Sequence, residues 1–398
     1  DLRKTGKLEK GGVTYSPYKS LKEPVEILAI VKNNNPVQSA EVGEKVAILL
    51  PKTWFYVEAG GQVSDTGQIV STNGKDWIIQ VKDMQKPAAG IIVHVGEVEK
   101  GHPKVGNLAL VQVDEDRRRQ IMRNHTATHL LHAALQDVLG SHARQAGSLV
   151  APDRLRFDFT HPKAMTQEEI LAVEAQVNQA ILSNYQLNIA EKTLDQAIDE
   201  GAMALFGEKY EAVVRTISIG DQETLSYELC GGTHVDETGD IGLFLITYEG
   251  SVAAGIRRIE AITGWLAYQY ARERMNILNY VNLYLGTAPA ELLTKITNLT
   301  EDLNRAEKEI DRLRAQQVAD VFDQELNQTE EIHGITVLRT ILHDADIDTL
   351  REMADKFRQK FDSGVVFLAS DHDEKPIMIA AITEDLVERG LHAGNLVK

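Results

Sequence analysis

Hydrophobic positions in the first 110 residues come as short runs, Val25–Val31, Lys45–Leu50, Trp77–Val81 and Gly90–His94, separated by Gly, Asn and Pro. Runs of that length bounded by turn residues predict strands, and strands in this number predict a small β-barrel over residues 1–110. Within it, Tyr56-Val-Glu-Ala-Gly-Gly-Gln-Val63 is followed by Asp65-Thr-Gly67, which sets two glycines between strand-like stretches. Such a pair either turns the chain or lets backbone approach a ligand closely, and the turn is the simpler reading.

From Asp114 the period changes. Ile121, Met122, His125, His129, Ala134, Leu135 and Val138 fall near one side of a helix that Gly140 would end. Leu155–Phe159 alternates as a strand, Thr166-Gln-Glu-Glu169 has the form of a capping box, and strand-like pieces return at Ala212–Ile219 and Ile241–Tyr248. Residues 111–263 therefore read as an α+β domain with long helices on a sheet. Leu292, Ile296, Leu299, Leu303, Ala306, Ile310 and Leu313 then step by four and three as a heptad seam, giving a helical or coiled-coil linker over 264–330. Gly286, Thr287 and Pro289 interrupt the helix before it, so the seam either closes an antiparallel hairpin or pairs two chains. Residues 331–398 read as a small α/β domain: strand, helix, strand, turn, strand, short helix. Asp371-His-Asp373 falls in that turn and reads as a solvated hairpin tip. The fold class is α+β multidomain.

Composition narrows the function. A chain of 398 residues with 43% hydrophobic content can bury more than one core. No run of about 20 apolar residues occurs, and Asp-Leu-Arg-Lys at the N-terminus has neither a signal core nor an initiator Met. Membrane and secretory classes are excluded, and the chain reads as a fragment. Cys230 is the one cysteine, so no disulfide forms within the chain and a reducing, cytoplasmic setting is expected. A net charge of -17 argues against a surface that coats DNA, while leaving room for a local basic patch.

The chemistry concentrates in two short segments. His125 and His129, four apart on a helix, project both imidazoles from one face, with His132 nearby. A helical histidine is commonly a packed residue, so the pair alone decides nothing. Cys230-Gly-Gly-Thr-His234 adds a thiolate and a third imidazole, with glycines that let both side chains curl round one ion, and the set His125, His129, Cys230, His234 predicts Zn2+. Four protein ligands also suit a closed structural site, whereas catalysis needs an exchangeable position. Thr126-Ala-Thr128 between the histidines lacks the glutamate of an HExxH protease. Arg117-Arg-Arg119 and Arg123 precede the pair, and Arg257 and Arg258 follow the Cys230 segment, so phosphates of an RNA are one reading and a solvated helix face the other. Gln145 and Ser148 offer an amide and a hydroxyl suited to orienting a small polar group, or sit in an ordinary turn.

Five ordered motifs, His125-Thr-Ala-Thr-His129, Gln145-Ala-Gly-Ser148, Arg154-Leu-Arg-Phe-Asp-Phe159, Cys230-Gly-Gly-Thr-His234 and Gly255-Ile-Arg-Arg-Ile-Glu-Ala261, together resemble the editing domain of alanyl-tRNA synthetase. The Tyr56–Gln62 and Asp65–Gly67 segments look like the barrel before that domain, and the heptads and the closing Leu391–Lys398 like its linker and C-terminal domain. The resemblance implies hydrolysis of the ester of tRNA(Ala) mischarged with serine or glycine, with Gln145 and Ser148 toward the substrate and Arg123, Arg257 and Arg258 toward the tRNA. Zinc would act as a Lewis acid, activate water or orient the amino acid, and no protein general base is assigned. It further implies a tRNA-binding and homodimerising C-terminal part. Without an aminoacylation module before Asp1, no ATP-dependent activation of alanine is expected. A freestanding editing protein of the same family is the nearer competitor, though such a protein would normally begin with Met; bacterial threonyl-tRNA synthetase shares the two ligand half-motifs, whereas the arginine-rich segment, heptads and C-terminal domain favour the alanine system. A tRNA-binding or dimerisation module with purely structural zinc is the competing class.

Overall fold

The computed structural model describes residues 6–19, 23–204, 210–221, 224–372 and 376–396. The chain divides into two compact units, residues 1–275 and 276–398.

The first unit opens with β1 (Thr14–Tyr15), β2 (Val25–Glu26), β3 (Ala29–Lys32), β4 (Asn35–Val37), β5 (Lys45–Leu49), β6 (Lys52–Thr53), β7 (Gly67–Ser71), β8 (Ile78–Ala88), β9 (Ile91–Lys100) and β10 (Leu108–Val113). Eight of these form one sheet in the order β2-β10-β7-β8-β9-β5-β3-β4. Consecutive chain supplies both ends: Val25 and Glu26 pair with β10, while Ala29, Ile30 and Val31 pair with β5. The sheet therefore curls round its own core as a half-barrel, where sequence reasoning expected a small β-barrel. Along β9 the buried positions Ile92, His94, Gly96 and Val98 alternate with half-exposed ones, so one face packs on Ile30, Ile48, Trp54, Ile69 and Ile79.

His94 is the polar member of that core. Its Nε2 lies 2.8 Å from Thr53 Oγ1 and its Nδ1 3.3 Å from the Ile48 carbonyl oxygen. Burial lowers its pKa, the Ile48 contact only partly opposes this, and the result is about 4 against an ordinary 6.5. The unfolded chain then binds a proton that the folded chain refuses. Stability from this group is full above pH 6.5 and falls by up to about 3 kcal/mol as pH drops toward 4. Urea titrations at several pH values should show this slope, and His94→Gln should flatten it.

The chain then enters α1 (Glu115–Leu139), β11 (Gln145–Val150), β12 (Leu155–Thr160), α2 (Gln167–Leu182), β13 (Leu187–Thr193), α3 (Leu194–Asp199), β14 (Val213–Gly220), β15 (Thr224–Leu229), β16 (Phe244–Ala253), β17 (Ile256–Thr263) and α4 (Gly264–Leu285). The expected strand at Ile241–Tyr248 begins only at Phe244, because Thr238–Ile241 forms a 3-10 turn that Gly242 ends with φ 73°. Thr166 and Glu169 make the predicted reciprocal cap of α2. Helices α1 and α2 bury Ala127, Leu131, Leu135, Val173 and Val177 against Phe157, Phe159, Phe244 and Ile259 of the antiparallel sheet β11-β12-β17-β16. A second sheet, β13-β14-β15, leads β15 toward α1.

In the second unit, α5 (Leu292–Glu325) is followed by β18 (Glu330–Ile332), β19 (Ile335–Ile341), α6 (Ile347–Lys360), β20 (Gly364–Ser370), β21 (Ile377–Ile382), α7 (Glu384–Glu388) and α8 (Ala393–Leu396). Helix α6 is the crossover between the parallel strands β19 and β20, and it buries Leu350, Met353 and Phe357 together with Val318 and Phe322 of α5. The seam residues Ile296, Leu299, Leu303, Ile310 and Leu313 remain exposed on α5. Between β20 and β21, Asp371 accepts hydrogen bonds from His343 Nδ1 and the Asp344 amide at 2.9 and 3.2 Å. Asp373 lies outside the described residues.

Candidate metal centre

Helix α1 starts where the Asp114 carboxylate accepts from the Arg117 amide and stops at Gly140, φ 107°. Its buried side carries His125 and His129 inward beside the apolar residues that fix its rotation. Across from it, β15 ends in the loop Cys230–His234. That loop is gripped through its backbone: Arg215 Nη1 donates to the carbonyls of Cys230 and Gly232 at 2.9 and 2.8 Å, and Tyr18 Oη donates to that of Gly231 at 2.7 Å. The Arg215 guanidinium also lies 4.1 Å over the Tyr18 ring. A Cβ at Gly232 would stand 1.9 Å from His125 Cε1, so only glycine lets the loop close on the helix.

One ligand atom from each of His125, His129, Cys230 and His234 falls within 4.8 Å of the others. Cys230 Sγ is 3.4 Å from His125 Nε2 and 3.3 Å from His234 Nε2. A tetrahedral zinc with Zn–S about 2.3 Å and Zn–N about 2.0–2.1 Å sets S···N edges of roughly 3.5 Å, so donor types and spacing both suit the ion. Two of the outer nitrogens are hydrogen-bonded as well. His125 Nδ1 meets Gln62 Oε1 at 2.7 Å, and His234 Nδ1 meets Thr126 Oγ1 at 3.1 Å. His129 Nδ1 lies 3.2 Å from Glu228 Oε2 as a close charge pair. His132 stands apart from the cluster: it packs on Phe157, with Nδ1 3.4 Å from Glu228 Oε1.

Electrostatics hold Cys230 and His234 in metal-binding forms and His129 in its charged form. Burial would raise the Cys230 thiol, but His125, His234 and His129 together hold it well below the ordinary thiol range. Burial, with help from His125, lowers His234 to about 3 and leaves it neutral. Burial also works against a charged His129, yet the Glu228 carboxylate and Cys230 raise it to about 10. Glu228 is held below the ordinary carboxylate range, because His129 and His132 outweigh the burial that would raise it. An incoming ion would therefore displace a proton from His129.

His125, His129 and Cys230 line a cavity of about 450 Å³ that Gln145 and Ser148 also line, with Tyr15, Tyr18 and Tyr56. Gln145 and Ser148 belong to strand β11 rather than a turn, and Gln145 Nε2 donates to Ser148 Oγ at 3.2 Å. The three arginines expected to face tRNA each make a contact within the chain. Arg123 Nε donates to the Asp240 carbonyl at 2.7 Å, Arg257 forms a two-pronged pair with Glu249 at 2.7 Å for both contacts, and Arg258 pairs with Asp158 at 2.6 and 2.9 Å. Gln62, Thr126, Arg215 and Glu228 escaped sequence reasoning. Glu228 sits two residues before Cys230 and Thr126 between the histidines, whereas Gln62 lies 171 residues from Thr233, the loop residue that it touches.

The site is accompanied by two family matches. Residues 4–117 match the family described as tRNA synthetases class II (A), and residues 214–260 match the threonyl and alanyl tRNA synthetase second additional domain. The chain thus carries a segment of a class II synthetase with the additional domain of the threonyl and alanyl enzymes. It is 42% identical over 393 residues to the alanine–tRNA ligase of Acetivibrio thermocellus, covering 98% of this chain and 44% of that protein. Identity to the Clostridioides difficile ligase is 42% over 97% of this chain and 43% of the relative, and to the Geobacillus kaustophilus ligase 44% over 96% and 42%. Over nearly its whole length the chain is similar to a portion of alanine–tRNA ligases, and it spans less than half the length of these curated relatives.

Proposed function

We propose that this chain is the editing portion of an alanine–tRNA ligase, which hydrolyses the ester linking serine or glycine to tRNA(Ala). The observation that carries this reading is the union of a four-ligand cluster, His125, His129, Cys230 and His234, with a cavity bearing Gln145 and Ser148. Zinc held there would supply Lewis-acid polarisation and a fixed point for the aminoacyl group. The chain's own residues do the rest. The Gln145 amide orients a polar group of the substrate. Water adds to the ester carbonyl, the bond to the ribose oxygen breaks, and that oxygen leaves as the terminal hydroxyl.

In this reading residues 1–110 are the barrel part, 111–263 the zinc-dependent editing domain, 264–330 the linker and 331–398 the tRNA-binding and dimerising part, acting in the cytoplasm. Among the described residues, no helix is long and apolar enough to cross a membrane. The exposed seam from Ile296 to Leu313 is the surface that would pair two chains, and a monomeric mass in solution would remove that role from it. Arg123, Arg257 and Arg258 would meet tRNA phosphates through guanidinium donors beyond those that their present partners use.

The test mixes zinc-loaded protein with seryl-tRNA(Ala), alanyl-tRNA(Ala) and seryl-tRNA(Ser) and follows ester loss. Only the first is expected to disappear rapidly, and survival of all three rejects the reading. Chelation should stop the reaction and zinc should restore it. The closed set of four protein ligands favours one other reading, a structural zinc in a tRNA-binding module. It is supported if chelation lowers the melting temperature while hydrolysis continues.

A further inference from the structure

We propose that Gln62 is a positioning residue for the metal centre: from the loop between β6 and β7 it holds His125 with its proton on Nδ1, so that Nε2 faces the ion. The inference rests on reading the cluster as a zinc site. Gln62 is fully buried, and its amide has a fixed orientation, because Oε1 accepts from the Thr233 backbone amide at 2.9 Å and Nε2 contacts Thr233 Oγ1 at 2.9 Å. The backbone amide can only donate, so the atom it meets is the oxygen. His125 Nδ1, 2.7 Å from that same oxygen, must then carry the hydrogen, which leaves the Nε2 lone pair pointing toward Cys230 Sγ. One amide thereby ties the helical half of the ligand set, through His125, to the loop half, through Thr233.

Gly60 and Gly61 explain how the side chain reaches this position. They take φ values of 57° and 81° and turn the chain back at Gln62. The Gly61 carbonyl accepts from the Val150 amide at 2.7 Å, and the Val63 amide donates to the Val150 carbonyl at 3.1 Å. A Cβ on Gly61 would stand 2.4 Å from Ser148 Oγ. The glycine pair is a turn that also allows the loop before β7 to touch β11, and the contact delivers Gln62 to His125. Residues outside the ligand shell that fix imidazole orientation commonly change metal affinity by about 10–100-fold.

The test is zinc affinity of the full chain, measured by competition with a chromophoric chelator, together with the thiolate absorption of the cobalt form. Gln62→Met keeps the bulk without the hydrogen bonds and is expected to weaken zinc about 10–100-fold. Gln62→Glu keeps the acceptor for His125 and should restore most of the affinity and the cobalt spectrum. In a His125→Ala background, Gln62→Met should cost nothing further, since the group it orients is gone. The proposal is overturned by wild-type affinity in Gln62→Met, by failure of Gln62→Glu to rescue, or by an equal loss with and without His125, which would mark general loosening. A wild-type chain that binds no zinc overturns this inference and the editing reading together. A chain that binds zinc with the expected variant pattern but spares seryl-tRNA(Ala) overturns only the editing reading.

Discussion

Cys230→Ala is expected to slow hydrolysis of seryl-tRNA(Ala) by roughly a hundred-fold or more, with the zinc content of the purified protein falling in parallel. The thiolate is the one anionic donor of the four, so its loss removes the charge that most directly balances the ion. The loop would stay in place, because Arg215 and Tyr18 hold the carbonyls of Cys230, Gly231 and Gly232 rather than the sulfur. The defect would therefore report on the ligand and not on a collapsed loop. Single-turnover hydrolysis and metal analysis make the measurement, with the fluorescence of the buried Trp54 and Trp77 as a check that the curled sheet is intact. Full activity in this variant would remove zinc from the reaction.

A loss of about 3–5 kcal/mol in unfolding free energy is expected for Asp65→Ala. The Asp65 side chain is 1% exposed and forms an ion pair with Arg118, whose side chain is 14% exposed. Asp65 Oδ2 also accepts from the Tyr56 amide at 2.6 Å, and Arg118 donates to the carbonyls of Trp54 and Pro17 at 2.6 and 3.1 Å. Removing the carboxylate strands a guanidinium and a backbone amide where water cannot replace their partner. Because α1 carries Arg118 and the loop leading into β7 of the curled sheet carries Asp65, the same substitution should loosen the attachment of one to the other. Urea unfolding followed through tryptophan fluorescence tests it, and a change below about 1 kcal/mol, the range of an exposed pair, would refute the assignment.

The elements that sequence reasoning located best are those whose periodicity is set locally. Helix α1 runs to Leu139 as the apolar spacing and Gly140 require, and the Thr166–Glu169 cap is present. The strand expected from Ile241 starts late because Gly242 bends the chain, a departure that the run of apolar residues concealed. The arginines show the limit most clearly. Arg257 and Arg258 read as cations suited to phosphates or as a solvated face, and neither reading names Glu249 and Asp158, which meet them across neighbouring strands. Asp158 is 100 residues away from Arg258, and no local pattern marks the pair.

Residue type and spacing by themselves determined which donors exist, and that His125 and His129 share a helix face while Cys230 and His234 share a glycine-bearing loop. They also carried the resemblance that the relatives bear out. Tertiary structure decided that these halves meet, which nitrogen of His125 and of His234 is turned toward the sulfur, and that Gln145 and Ser148 open on the same cavity. The physical reason is range. Helical period and glycine freedom act within a few residues, whereas the Gln62–His125 hydrogen bond and the Arg118–Asp65 pair exist only once a curled sheet has packed against a helix that follows it in the chain.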